Sequence, residues 1–226
     1  MATRTSISVP LAIWGEGYSQ FLPQWFGGVE TLERKPDEIV IVCDEQNYPA
    51  VMKGMKNFDI VTIKVESHSN YAQFWNRAIE LCSGKWVAIC NADDYFLPQA
   101  LNEIDTADEQ DCNLICDHLR HKHSNQRQSA SWNPEELGHA FNLMGANPMT
   151  KRLWEVAGGF PNVRFADWGL ALRMRKTGLV KAYYASTDRI VYDVGHNRPT
   201  MSGASLESSL RMEGNDQIMR IAQELG

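Results

Sequence analysis

The chain has 226 residues, of which 43% are hydrophobic and 22% charged, and a formal net charge of −6. That length allows one large domain or two small ones with a substantial core. The acidic balance argues against tight non-specific binding to nucleic acid, the one local exception being the basic group Arg173, Arg175 and Lys176.

No run of 18 apolar residues occurs, so no membrane span is expected. The N-terminus lacks the charged, then apolar, then cleavable pattern of a secretory signal. Five cysteines, an odd number, point to reduced thiols and a cytoplasmic location.

Ile7 to Trp14 reads as a strand closing on Gly15-Glu16-Gly17, followed by a helix over Tyr18 to Thr31 that contains Pro23 and the Gly27-Gly28 pair. Glu38 to Cys43 is a buried strand closing on Asp44-Glu45, Ala50 to Asn57 a short helix, and Asp59 to Val65 a third strand. Asn70 to Cys82 is an amphipathic helix with Gly84 as its stop, and Trp86 to Cys90 a fourth strand. This alternation predicts an α/β fold with a mostly parallel sheet and helices on both faces. The second half is less regular. A strand is expected over Asn113 to His121, a polar loop over Ser124 to Pro134, and mixed structure over Gly138 to Met149 and Leu153 to Gly159. A helix over Trp168 to Gly178, strands over Val180 to Ala185 and Arg189 to Asp193, and a terminal helix over Ser205 to Leu225 complete the pattern.

The five apolar residues from Trp86 to Cys90 read as a strand buried on both faces, and it stops at Asn91-Ala92-Asp93-Asp94. Ligands of parallel sheets sit beyond the carboxyl ends of the strands. Two adjacent carboxylates there suit a divalent cation with a sugar or phosphate, and they equally suit a capped turn. Cys112, Cys116, His118, His121 and His123 also lie close together. Their spacing matches no structural zinc pattern, and alternation along a strand sends neighbours to opposite faces, so a zinc site is not expected.

Four segments, in order, carry a resemblance: ISVPLAIWG, DEIVIVCDEQN, NYAQFWNRAIELCSGKWVAICNADD and AGGFPNVRFADWGLALRMRKTG. Together they resemble the nucleotide-sugar-dependent glycosyltransferases of the GT-A fold, specifically the inverting family 2, over roughly Ile7 to Arg198. The resemblance implies a single α/β domain with a Rossmann-like, mostly parallel central sheet. Residues 1–98 would form its nucleotide-sugar-binding half, and residues 99–226 its acceptor-binding half with the catalytic base and a C-terminal helix.

It further implies that Asp94 ligates Mn²⁺ or Mg²⁺, that His196 completes the metal shell or touches the diphosphate, and that Arg198 assists there. Asp93 would bind ribose or sugar hydroxyls, with Asn91 beside it. Asp44 would contact the nucleobase, Trp14 stack on it, Glu16 line the same pocket and Asn70 reach towards it. Asp167 would be the general base. On the residues alone, Asp44 also reads as a strand-end turn residue, Trp14 as core packing and Asp167 as a helix N-cap.

Two positions depart from the family pattern: Asn91 stands where an acid is common, and Ala166 where a glutamate usually precedes the base. The resemblance thus implies an inverting transfer from a nucleoside diphosphate sugar, with a uridine-linked donor favoured, to an acceptor hydroxyl that the residues leave open. Oligomeric state is equally open. The missing acids keep alive a catalytically inactive nucleotide-sugar-binding or scaffold module. A sugar-nucleotide pyrophosphorylase would need a basic glycine-rich loop after the first strand, and IWGEGYSQ holds no Lys or Arg.

Overall fold

The computed structural model describes residues 4–137, 147–193 and 208–225. Its first half runs β1 (Ile7–Ile13), α1 (Leu22–Thr31), β2 (Glu38–Cys43), α2 (Tyr48–Gly54), β3 (Val61–Val65), α3 (Tyr71–Leu81) and β4 (Trp86–Val87). There follow β5 (Tyr95–Phe96), α4 (Ile104–Glu109), β6 (Leu114–His121), β7 (Arg127–Ser129), β8 (Met149–Thr150), α5 (Lys151–Ala157), α6 (Ala166–Thr177), β9 (Ala182–Tyr192) and α7 (Ser208–Leu225). β1 is buried at every residue and β2 at every residue but Glu38, which is the signature of strands covered on both faces.

The strands form one sheet in the order β3-β2-β1-β4-β8-β6-β9-β5, with β7 paired to β6. The long pairings β1–β2, β2–β3 and β6–β9 are parallel, as is β1–β4. The antiparallel pairings are short. The expected single α/β domain with a mostly parallel sheet is therefore what the chain adopts. The step from β1 to β2 to β3 runs one way across the sheet and the return to β4 runs the other. With right-handed crossovers, α1 and α2 cover one face and α3 the opposite one. The reversal also leaves a crevice beyond the carboxyl ends of β1 and β4, the switch point where ligands of such sheets bind.

Several boundaries differ from the sequence expectation. The helix expected from Tyr18 begins at Leu22, after a 3₁₀ turn over Ser19–Phe21, so Pro23 lies in its first turn, where its missing N–H is no loss. α3 ends at Leu81 with Cys82 extended at its cap, so Gly84 is not its stop. Gly84 serves close packing instead: its N–H donates to Ser8 Oγ at 2.8 Å, and an added Cβ would lie 2.8 Å from the Ser8 backbone nitrogen.

Only Trp86 and Val87 of the fourth strand pair in the ladder, although Ala88, Ile89 and Cys90 are fully buried. Side chains claim the carbonyls beyond: Trp25 Nε1 donates to Cys90 O at 3.1 Å and Arg189 Nη1 to Ile89 O at 2.9 Å. The polar segment after Ser124 contains β7, and the two strands expected over Val180 to Asp193 are one, β9. The terminal helix is described from Ser208 onwards. Among the described residues no helix is long and apolar enough to cross a membrane.

Candidate active site

The end of β1 is tied to the end of β2 by one carboxylate. Gly15, at φ +77°, donates its N–H to Asp44 Oδ2 at 2.7 Å. Asp44 Oδ1 accepts from the Asn47 backbone at 3.0 Å and from Asn47 Nδ2 at 2.7 Å, and the same amide reaches Gly15 O at 3.1 Å. Asp44 thus holds the two strand ends together, the turn role its sequence position allowed. Trp14 stacks on Phe74 with centroids 4.8 Å apart and meets Tyr71 edge-on at 5.9 Å, so at least one of its faces is spent on packing. Glu16 is exposed beside them. Asn70 is the N-cap of α3, its Oδ1 accepting from Gln73 N at 3.1 Å.

The acidic turn after β4 is braced from three sides. Asn91 O accepts from Asp94 N at 3.1 Å, and Asn91 Nδ2 donates to Asp94 Oδ2 at 3.1 Å. The Asp193 N–H, just past β9, donates to Asp94 Oδ1 at 3.0 Å. Below the turn, the buried Arg189 bonds Asp117 through Nε and the Ile89 carbonyl through Nη1. Asn147 Nδ2 adds a bond to Asp117 Oδ1 at 2.9 Å. Asp193 in turn holds Lys122 Nζ at 2.6 Å and His123 Nε2 at 3.1 Å. Asp94 is wholly buried; its burial, reinforced by the neighbouring Asp93, pushes its carboxyl up to about 8.

The third acid arrives from the second half of the chain. Asp167 is in the first turn of α6, and Phe165 occupies the N-cap without a side-chain bond, which corrects the N-cap reading by two residues. Its Oδ1 accepts from Trp168 N at 2.9 Å, and burial raises its carboxyl above the usual range. The half-buried Tyr71 opens α3. Burial first, and then the charges of Asp167, Asp93 and Asp94, push its hydroxyl well above the ordinary range. Ala166, where an acid was missing, is buried.

The sequence matches glycosyl transferase family 2 over residues 15–176. The chain belongs to that family. Its fold is shared with S. aureus TarS, residues 1–349, solved with UDP-GlcNAc: TM-score 0.71 and 11% identity, covering 97% of this chain and 72% of that one. It is shared also with the mannosyltransferase PcManGT from Pyrobaculum calidifontis, solved with GDP-Man and Mn²⁺: TM-score 0.63 and 15% identity, covering 98% of this chain and 74% of that one. Among curated proteins no sequence match is found.

In this family 2 glycosyltransferase the acidic turn suits a divalent cation that is completed by substrate. Each Asp94 oxygen accepts one bond from within the protein and keeps a further lone pair. A buried carboxylate beside a second one is costly without a neutralising charge. Two carboxylates, Asp93 and Asp94, would leave coordination places for phosphate oxygens and water, the usual arrangement for Mg²⁺. The candidate zinc residues separate: Cys116 is buried, His118 meets Ser129, His121 meets Gln128 and His123 meets Asp193. His196 and Arg198 lie outside the described residues.

A pH dependence follows for the metal-free glycosyltransferase. The folded pKa of Asp94, about 8, lies above its unfolded value of about 3.9. The fold thus favours the neutral acid, and this contribution is complete below about pH 4 and is lost as pH rises through about 8. Urea midpoints measured from pH 5 to 9 in chelator should fall with pH by at most about 1.4 kcal/mol per unit from this group. Asp94→Asn should flatten the curve, and an unchanged slope would contradict the assignment.

Sequence reasoning overlooked Asn47 and the Asp117–Arg189 pair. Asn47 was visible only as part of a polar turn. The ion pair joins residues 72 positions apart, and nothing local announces it.

Proposed function

We propose that this chain moves a sugar from a nucleoside diphosphate sugar to an acceptor hydroxyl with inversion at the anomeric carbon. The observation that carries the reading is the buried acidic turn at the carboxyl end of β4, where Asp94 is braced by Asn91 and the Asp193 backbone, in a chain of glycosyl transferase family 2. An inverting displacement needs a base on the face opposite the leaving group, and Asp167, in the first turn of α6, is assigned that role by family resemblance. Asp167 takes the acceptor proton, and burial raises its affinity for protons. Asp94 and Asp93 hold the diphosphate end with Mn²⁺ or Mg²⁺, and His196 and Arg198 are assigned there by family resemblance. When bound, the cation supplies Lewis-acid stabilisation of the departing diphosphate. Asp44 and Trp14 border the nucleobase end, with Glu16 and Asn70 at its rim and Asn91 beside the ribose. Five free thiols suit the reducing cytoplasm.

Uridine is the favoured base, and TarS with UDP-GlcNAc and PcManGT with GDP-Man set the panel for the test. Thermal unfolding is followed with UDP, GDP and their sugars, each with and without Mn²⁺. One nucleotide series at a hundredfold excess over its Kd should add about 2.7 kcal/mol, or roughly 5–10 °C, only when Mn²⁺ is present. Asp94→Asn should abolish the shift. No shift with any nucleotide would overturn the reading, and binding without turnover would favour the inactive module.

A further inference from the structure

Two hydrogen bonds brace the Asp94 carboxylate, one local and one distant. Asn91 Nδ2 belongs to the same turn. The Asp193 N–H reaches Asp94 Oδ1 at 3.0 Å from 99 residues further along the chain. That oxygen is held only as firmly as Asp193 itself.

The sheet does not extend to Asp193. The parallel pairing of β6 with β9 ends at His121 and Tyr192, and the Lys122 N–H takes the Tyr192 carbonyl at 3.0 Å. Beyond that point the Asp193 side chain is gripped by the residues that follow β6. Its Oδ2 accepts from Lys122 Nζ at 2.6 Å, and its Oδ1 meets His123 Nε2 at 3.1 Å. The same ammonium donates to Gln24 Oε1 of α1 at 3.2 Å, so Lys122 joins α1 to the ends of β6 and β9. The Asp193 side chain is 4% exposed, against 37% for Lys122 and 60% for His123. Lys122 therefore makes both the shorter and the more enclosed contact. A carboxylate so buried is stable only while its partner stays in place.

We infer that the Lys122–Asp193 ion pair positions Asp94 for its cation, an assignment that rests on the proposed donor site. The pair pins residue 193, whose backbone N–H then orients Asp94 Oδ1. Lys122 and Asp193 are positioning residues and not ligands.

Removing the lysine alone leaves a carboxylate that attracts a cation in its own right, so the main test removes both charges. The double variant Lys122→Met, Asp193→Asn conserves net charge and keeps the residue 193 N–H. Titration calorimetry with Mn²⁺ in saturating UDP or GDP, whichever stabilises the wild type, is run on the wild type, the double variant and Lys122→Arg. Urea midpoints are measured alongside. Mn²⁺ should bind the double variant about tenfold more weakly, at the low end of what groups that orient a metal ligand contribute. Lys122→Arg, which rebuilds the pair, should recover most of the affinity. A double variant with wild-type Mn²⁺ affinity, whatever its stability, would make the pair purely structural and overturn the inference. An arginine variant as weak as the double one would overturn it too. Should the double variant not fold, Lys122→Met alone decides by sign: weaker Mn²⁺ binding supports positioning, while equal or tighter binding overturns it. If the wild type binds neither Mn²⁺ nor nucleotide, it is the donor-site reading that has failed, and the inference falls with it.

Discussion

Arg189→Met is expected to destabilise the protein by about 3–5 kcal/mol, the cost of removing one member of a buried ion pair. Arg189 and Asp117 are each 3% exposed. Without the guanidinium, Asp117 loses its ion-pair partner and keeps the Asn147 amide. Burial already pushes the Asp117 carboxyl up and Arg189 pulls it back down, so the lost pair leaves a buried carboxylate without its main compensating charge. The substitution also frees the Ile89 carbonyl, two residues before the acidic turn. Urea unfolding checks the first effect. The double variant Arg189→Met, Asp117→Leu separates the two, because replacing both partners with apolar groups recovers most of the stability of a buried pair. Recovery of stability without recovery of Mn²⁺-dependent nucleotide binding would assign the positioning of the turn to Arg189. A single variant as stable as wild type would show that the pair contributes nothing.

The second large effect falls on rate. Asp167→Asn should lower kcat by about 10²–10⁴-fold, the usual loss on removing a general base, equivalent to about 3–5 kcal/mol in the barrier. The asparagine keeps an oxygen to accept the Trp168 N–H and removes a partly buried charge, so the fold should hold and donor affinity stay within a few-fold. In the wild type the base works only when ionised, and burial raises its carboxyl. Turnover should therefore rise with pH through a limb above the ordinary carboxylate range. Steady-state kinetics on both proteins across pH 5 to 9 decide the matter. A variant with wild-type kcat would remove Asp167 from the chemistry.

What the residues revealed in advance followed from local pattern. The run EIVIVC gave β2 with its boundaries unchanged, and Asn70 gave the start of α3 through its cap. Asp93 and Asp94 stood out as acids at a strand end, and Asp167 was proposed through the family resemblance. The errors lay where distant residues decide the outcome. Ser186-Thr187-Asp188 looks like a break, yet β9 runs through it because the Glu103 carboxylate accepts from the Ser186 and Thr187 backbone N–H groups and from both hydroxyls. β5 exists only because Tyr95 and Phe96 find Val191 and Ile190 across the sheet. One omission was avoidable: Thr150 capping the Leu153 N–H and Gly158 in the left-handed conformation frame α5, and both signals stand in the sequence.

The tether between Asn76 and Phe160 bears on how such enzymes can be recombined. One amide on α3 both donates to the Phe160 carbonyl at 2.9 Å and accepts from its N–H at 2.8 Å, while β4 pairs with β8 and β5 with β9. Residues 1–98 and 99–226 are therefore interleaved and not end to end. A chimera spliced at Pro98 would have to transplant matching partners for Asn76, Trp86 and Phe96 together with the foreign half. Foreign sequence in this scaffold is better introduced as loops between existing strands than as a module.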